Sequence, residues 1–327
     1  MDNSKIIVST YDDGPVFIPQ PLPEDLPGRS FTVAEADGLG VSRSRLRAAD
    51  LSTPSQLIRV PRDATQKLID RVRPYTQLGI PVYVSHTTAA LIRGIPVPFK
   101  HEHEPFIHLS RTADCAVPRR KGVRGHQSAL LSEELGIVEG VPITTPARTW
   151  LDLAQVISLD DLVVAGDHLI SGHHRHFGQP KKPMVQFSEL EEYIHGKHGV
   201  RGLVLAREAL TLMRKGVDSP PETKLRLMLR RAGLPEFIPD FPIAGETGEA
   251  PVWADLGCPE FRVCCEYEGK HHLNPQKQAE DRTRDRLTSD RGWQQVKIYA
   301  ADMALGEDWV VAHVVQALGR HGWKGHP

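Results

Sequence analysis

Cysteine is scarce. The 327 residues hold four, Cys115, Cys258, Cys264 and Cys265, and none stands in a CxxC pair. That spacing excludes a disulfide framework and a cysteine zinc site, and leaves reduced thiols as the expectation. Adjacent Cys264 and Cys265 would point to opposite faces of a strand. Excess charge is also absent: 40 Lys and Arg stand against 41 Asp and Glu, for a net charge of -1. Any nucleic-acid contact must then come from local basic patches. No apolar run approaches the roughly 20 residues that span a bilayer. Residues 1–27 lack the basic-then-apolar order of a secretory leader, so a cytoplasmic protein without a membrane partner is expected. What is present is a globular balance, 40% hydrophobic and 25% charged, in a length suited to two domains of ordinary size.

The first 30 residues carry Pro15, Pro19, Pro21, Pro23 and Pro27 among acidic residues, which predicts an extended or flexible lead-in. From Phe31 the pattern changes. Thr32–Asp37 reads as a capped helix, Gly38-Leu39-Gly40 as a turn, Ser42–Ala49 as a second helix and Leu57–Val60 as a strand. That is the order of a winged helix-turn-helix, whose second helix would present Arg43, Arg45 and Arg47 to DNA. The alternative is a small helical hairpin with a solvated basic face. Further on, 63–78 and His86–Arg93 read as helices, the latter stopped by Gly94, and Pro105–Ser110 as a strand. Arg111, Arg119, Arg120, Lys121 and Arg124 crowd the next stretch and could track phosphates, although such runs are commonly solvated loops. Clustered His173, His174 and His176 lack a carboxylate partner at ligand spacing and read as an exposed loop, as do His101, His103, His195 and His198.

The most informative stretch is 219–298. Ser219-Pro220-Pro221-Glu222 has the form of a capping box at a helix start; Glu222 could also orient or ligate a metal. Asp255 interrupts an otherwise apolar strand signal, and a carboxylate there must be partnered, solvated or bound to a cation. In the next strand Cys264, Glu266 and Glu268 share a face. Asp255, Glu266 and Glu268 are hard oxygen ligands suited to Mg²⁺ or Mn²⁺. Lys270, His271 and His272 follow Gly269 directly, offering a cation and a proton carrier. A charged hairpin tip is the plainer reading. A helix bearing Asp281, Arg284 and Asp285 and a closing strand, 293–298, complete the pattern.

These residues carry a resemblance. Glu222 on a first helix, Asp255, Glu266-x-Glu268-Gly269-x-x-His272, Asp281-x-x-Arg284 and Gly292-Trp293 resemble the Vsr-like branch of restriction-endonuclease-like (PD-(D/E)xK) proteins, over about residues 216–305. The resemblance implies a mixed sheet flanked by helices, Mg²⁺ dependence and phosphodiester hydrolysis. Asp255 and Glu266 would be metal ligands, Glu222 an accessory acid and His272 a proton-transfer or water-positioning group. Asp281 and Arg284 would buttress the site or hold phosphate. The superfamily's acid-x-Lys pair would fall on Glu268 and Lys270, whereas the Vsr-like register uses Glu266. At the front, residues 31–62, Ser85–Gly94 and Gly140–Ala154 resemble AbiEi-type antitoxins and regulators, which implies a winged-helix DNA reader. The expected fold class is therefore α/β (α+β), in four segments: a lead-in over 1–30, a winged helix over 31–65, a middle region over 66–215 and a nuclease-like domain over 216–327. The leading functional expectation is a metal-dependent DNA endonuclease or nickase whose partners are DNA and a second copy of the chain or a toxin. Its alternatives are a DNA-binding regulator with an inactive nuclease fold and a non-catalytic module of phage defence.

Overall fold

Polar caps and glycine stops set the elements of this computed structural model, which describes residues 5–8, 16–26, 28–172, 181–217, 219–245, 249–269 and 275–325. The chain divides into two units, Met1–Ile157 and Ser158–Pro327. Residues 158–215, expected with the middle region, thus belong to the second. The class is α+β, and among the described residues no helix is long and apolar enough to cross a membrane.

The first unit opens with an antiparallel hairpin, β1 (Lys5–Val8) and β2 (Val16–Pro19). Next come β3 (Phe31–Thr32), α1 (Val33–Gly38), β4 (Leu51–Ser52) and β5 (Ile58–Pro61), with β5 paired antiparallel between β3 and β4. The Thr32 hydroxyl accepts the Glu35 N–H at 3.0 Å and so caps α1. The helix expected over Ser42–Ala49 is reduced to one 3₁₀ turn, Arg45–Arg47. Its serines bond locally: Ser42 Oγ accepts from Arg45 N at 3.2 Å and contacts Ser44 Oγ at 3.0 Å. Such bonds compete with helix extension.

A five-stranded sheet follows, in the order β8-β7-β6-β10-β9. It is built from β6 (Tyr83–Val84), β7 (Ile107–Thr112), β8 (Val123–Ser128), β9 (Leu135–Val138) and β10 (Val141–Thr144). Around it run α2 (Leu68–Thr76), α3 (His86–Arg93), α4 (Phe99–Glu102) and α5 (Pro146–Leu153). Gly94 stops α3 at φ 71°. Ile69 and Val72 of α2 pack on Val84, Leu109 and Ile143 of the sheet.

Beneath α5 lies a buried charge network. Arg148 donates to Asp152 Oδ1 at 2.9 Å and to both Glu134 oxygens at 3.1 Å, and all three side chains are about 1% exposed. One guanidinium faces two carboxylates, and Asp152 Oδ2 has no hydrogen-bond partner. Burial pushes Asp152 from 3.8 up to about 6, against the pull of Arg148. A carboxyl raised in the fold favours the protonated native state. Its contribution is greatest below the unfolded value and is lost as pH rises from near 4 to near 6. Between pH 4.5 and 7.5 wild type is therefore expected to lose about 2 kcal/mol relative to Asp152→Asn. Urea midpoints of both proteins at pH 4.5 and 7.5 check this; parallel profiles would overturn it.

The second unit begins with α6 (Leu159–Ile170), α7 (Phe187–His195) and α8 (Leu203–Leu212). The Ser158 hydroxyl accepts the Asp161 N–H and caps α6. Then come α9 (Pro220–Arg231), a meander of β11 (Ile238–Ile243), β12 (Val252–Cys258) and β13 (Val263–Glu268), α10 (Pro275–Asp290) and β14 (Gln294–Tyr299). The last two helices are α11 (Ala300–Leu305) and α12 (Glu307–Arg320). The sheet runs β11-β12-β13-β14, antiparallel up to β13. β14 lies parallel to β13 because the α10 crossover returns the chain to the same end. Leu225 and Leu229 of α9 and Val310 and Val314 of α12 pack with Cys265 on one face. Cys264 packs on the other, with Leu287 of α10. The sheet is thus mixed and flanked by helices, and the adjacent cysteines do part to opposite faces. All four cysteines are free thiols.

Candidate active site

Strand alternation places Cys264, Glu266 and Glu268 toward α10. The parallel register sets Lys297 of β14 beside Glu266. Glu266 is 3% exposed, and Arg284 of α10 reaches its Oε2 at 3.1 Å. Lys297 Nζ lies 2.5 Å from Asp285 Oδ2 and 3.8 Å from Glu268 Oε1. Burial opposes the charge on Lys297, but the hydrogen bond to Asp285 and the charges of Asp285 and Glu268 outweigh it and hold the lysine above its usual range. Asp285 Oδ1 is buried without a hydrogen-bond partner.

Asp255 adjoins this face from β12. The register ends at Leu256 opposite Cys265, one residue short of Asp255 and Glu266. Asp255 Oδ2 accepts the Tyr267 N–H at 2.8 Å, so its carboxylate takes a ladder position that a carbonyl would otherwise fill. Side-chain alternation shifts at this point: Ala254 packs with Cys264, whereas Leu256 packs with Cys265. The facing residue of β11, Asp240, has a left-handed φ of 49°. Gly257 is needed here, since a Cβ would lie 2.5 Å from the Phe241 ring. Burial, and then the negative charges of Glu266 and Asp255, push the Cys264 thiol to about 12. It is therefore a neutral core group rather than a nucleophile.

Glu222 stands at the start of α9 and is 8% exposed. The expected capping box takes another form: the Ser219 hydroxyl donates to Glu222 Oε1 at 2.7 Å rather than accepting a backbone N–H. Lys270, His271 and His272, and the side chain of Asp281, lie outside the described residues. Sequence reasoning missed Lys297 and did not pair Asp285 with it. The available signal was a lysine alternating with Gln295 and Tyr299 in the closing strand, but only the β13–β14 register gives it meaning. Among the described residues the acidic side chains form no triplet of ligand atoms within 4.8 Å. Two carboxylates, Asp255 and Glu266, on neighbouring strands remain.

The expected DNA contacts in the first unit divide. Arg43 and Arg47 are exposed. Arg45 does not face DNA: it is 4% exposed, binds Asp50 through two nitrogens at 2.9 and 2.7 Å, and donates to the Gln20 carbonyl. A guanidinium drawn inward this way holds the 3₁₀ turn instead of reading a groove. Arg119 and Lys121 are exposed, while Arg120 is half-buried and donates to the Gln56 carbonyl. Lys121 lines a cavity of about 1010 Å³ together with Arg71, Arg124, Tyr75 and Phe106. Arg124 stacks 3.9 Å above the Phe106 ring. His101 is a further correction: it is buried at 8% and bonds Glu104 Oε1 at 2.9 Å. His173, His174 and His176 fall outside the described residues.

No family model matches the chain, and no solved structure does. It is similar to two proteins of Mycobacterium tuberculosis, "Uncharacterized protein MT2308" of strain CDC 1551 / Oshkosh and "Uncharacterized protein Rv2248" of strain H37Rv. Each is 27% identical over 227 residues, covering 69% of this chain and 76% of the relative.

Proposed function

We propose that the second unit is a metal-dependent DNA endonuclease or nickase and that the first unit contributes DNA contacts. The observation carrying this reading is that Glu266, Glu268 and Lys297 stand together on β13 and β14 while the Asp255 carboxylate of β12 reaches across to the Tyr267 N–H beside them. Bound at Asp255 and Glu266, Mg²⁺ or Mn²⁺ would supply Lewis-acid polarisation of the scissile phosphate and an activated water. Arg284 orients Glu266 by its 3.1 Å contact. Lys297, fully charged between Glu268 and Asp285, supplies the positive charge that a pentavalent phosphorane needs. In the first unit, Arg43, Arg47, Arg119 and the Arg71–Lys121–Arg124 cavity offer phosphate contacts.

A second reading has its own support. Glu266 and Glu268 each already face a cation, as in a structural ion-pair lattice. That is what a regulator of AbiEi type with an inactive nuclease fold would keep. The test is incubation of the full chain with supercoiled, linear, mismatched and single-stranded DNA. Cutting with Mg²⁺ or Mn²⁺ that stops in chelator is expected. DNA that is bound but left intact in every form and metal would exclude the enzyme and favour the regulator, with Arg43 and Arg47 as its contacts.

A further inference from the structure

Three histidines scattered over 40 residues of sequence meet in the first unit. His86 opens α3, His108 lies on β7 and His126 on the parallel neighbour β8. Each offers one ring nitrogen, and these atoms all lie within 4.8 Å of one another. His86 and His108 are 1% exposed and His126 is half-buried. The His86 and His126 rings stack at 3.6 Å. We propose that His86, His108 and His126 form a binding site for a divalent transition metal of the Zn²⁺ and Co²⁺ class.

The hydrogen bonds sort the nitrogens as such a site requires. His86 Nδ1 contacts Ser85 Oγ at 2.9 Å, and Ser85 Oγ in turn accepts from Ser110 at 2.6 Å. His86 Nε2 is buried with no hydrogen-bond partner. A polar nitrogen left so in a polar cluster asks for a ligand. His108 Nε2 lies 3.2 Å from Glu104 Oε2, which leaves Nδ1 as the ligand atom. Glu104 is itself held by Thr87 at 3.0 Å and His101 at 2.9 Å. Carboxylate to histidine to metal is the usual outer support of such sites. His126 Nε2 sits 2.9 Å from His108 Nδ1. Two ligands of a tetrahedral centre with bonds near 2.0–2.1 Å stand about 3.3 Å apart, so for this pair a shift of a few tenths of an ångström exchanges the shared proton for a metal, and His86 closes in from within 4.8 Å.

The charge balance permits it. Burial is the first cause that lowers all three imidazoles: His86 falls well below its usual value, and His108 and His126 fall to about 4. Glu104 brings a negative charge to the cluster; Arg124, 4.0 Å from Glu104, and Arg148, near His86, oppose it. Arg148 is offset by Glu134 and Asp152. His86 also holds a φ of 50°, a backbone state that L-residues adopt when their surroundings hold them there. Imidazole donors select Zn²⁺, Co²⁺ or Ni²⁺ rather than Mg²⁺, so this site is chemically distinct from the carboxylates of the second unit. Three protein donors leave a fourth position for solvent.

The experiment is titration of tag-free, metal-depleted full-length protein with Co²⁺, read by its visible ligand-field bands and by Zn²⁺ displacement. One equivalent is expected to bind. His126→Gln is expected to weaken binding about 100-fold, and Glu104→Gln about 10-fold or more. Because His126 is half-buried, its variant is checked for folding by circular dichroism, and wild type alone should gain thermal stability from Zn²⁺. Absence of ligand-field bands, or equal binding by wild type and a folded His126→Gln, would overturn the site.

Discussion

Asp255→Asn is expected to lower the proposed Mg²⁺-dependent DNA cleavage by about 10²-fold, and Lys297→Met by about 10²–10³-fold in kcat. Asparagine is the better probe at 255 because the carboxylate also accepts the Tyr267 N–H at 2.8 Å. An amide oxygen can keep that bond while the proposed anionic ligand is lost. Lys297 answers a different question. It stands between Glu268 and Asp285, so removing it leaves two carboxylates facing each other and subtracts the cation next to the proposed reaction centre. If its charge acts on the transition state, kcat falls while KM for DNA stays near the wild-type value, and Lys297→Arg restores part of the rate. If it only neutralises the sheet edge, Lys297→Met lowers the melting temperature but leaves the folded enzyme's rate unchanged. Cleavage at wild-type speed by both variants would move the chemistry away from this face.

Asp167→Ala is expected to destabilise the second unit by about 3–5 kcal/mol. Asp167 is 0% exposed and lies in α6. Its Oδ2 accepts from Arg226 at 2.7 Å and from Thr223 at 2.9 Å, both on α9, and its Oδ1 accepts the Arg214 N–H at 2.7 Å. Burial raises the carboxyl while Arg226 pulls it down. Alanine would leave a guanidinium that is 5% exposed without its counter-charge, and an unpaired buried charge is far costlier than the pair itself was worth. Asp167→Asn keeps one acceptor oxygen, loses the charge and turns an NH2 toward the other donors, so it should fall between wild type and alanine. Guanidinium denaturation of wild type and both variants measures this; equal midpoints would show that α6 and α9 are held by apolar packing alone.

The same hub explains part of what the sequence could not convey. Helices α6, α7 and α8 fall in the stretch expected with the middle region, and nothing local says which sheet they serve. The answer lies in a carboxylate at 167 meeting residues 214, 223 and 226. Arg45 is a similar case. Ser42-Arg43-Ser44-Arg45-Leu46-Arg47 looks like a basic helix face, yet the partners that draw Arg45 inward are Asp50 and the carbonyl of Gln20.

What the sequence alone determined is what a short window can hold. Thr32 caps a helix, Gly94 stops one, and the alternation in Val263–Glu268 puts Cys264, Glu266 and Glu268 on one face and Cys265 on the other. Backbone period and side-chain capping act within a few residues, so they are legible there. Tertiary structure alone decided that Lys297 stands beside Glu266, that Asp285 meets Lys297, and that His86, His108 and His126 converge. Those meetings depend on strand register and on the crossover that returns a chain to the same sheet edge. Such long-range pairings leave no periodic trace in the residues that make them.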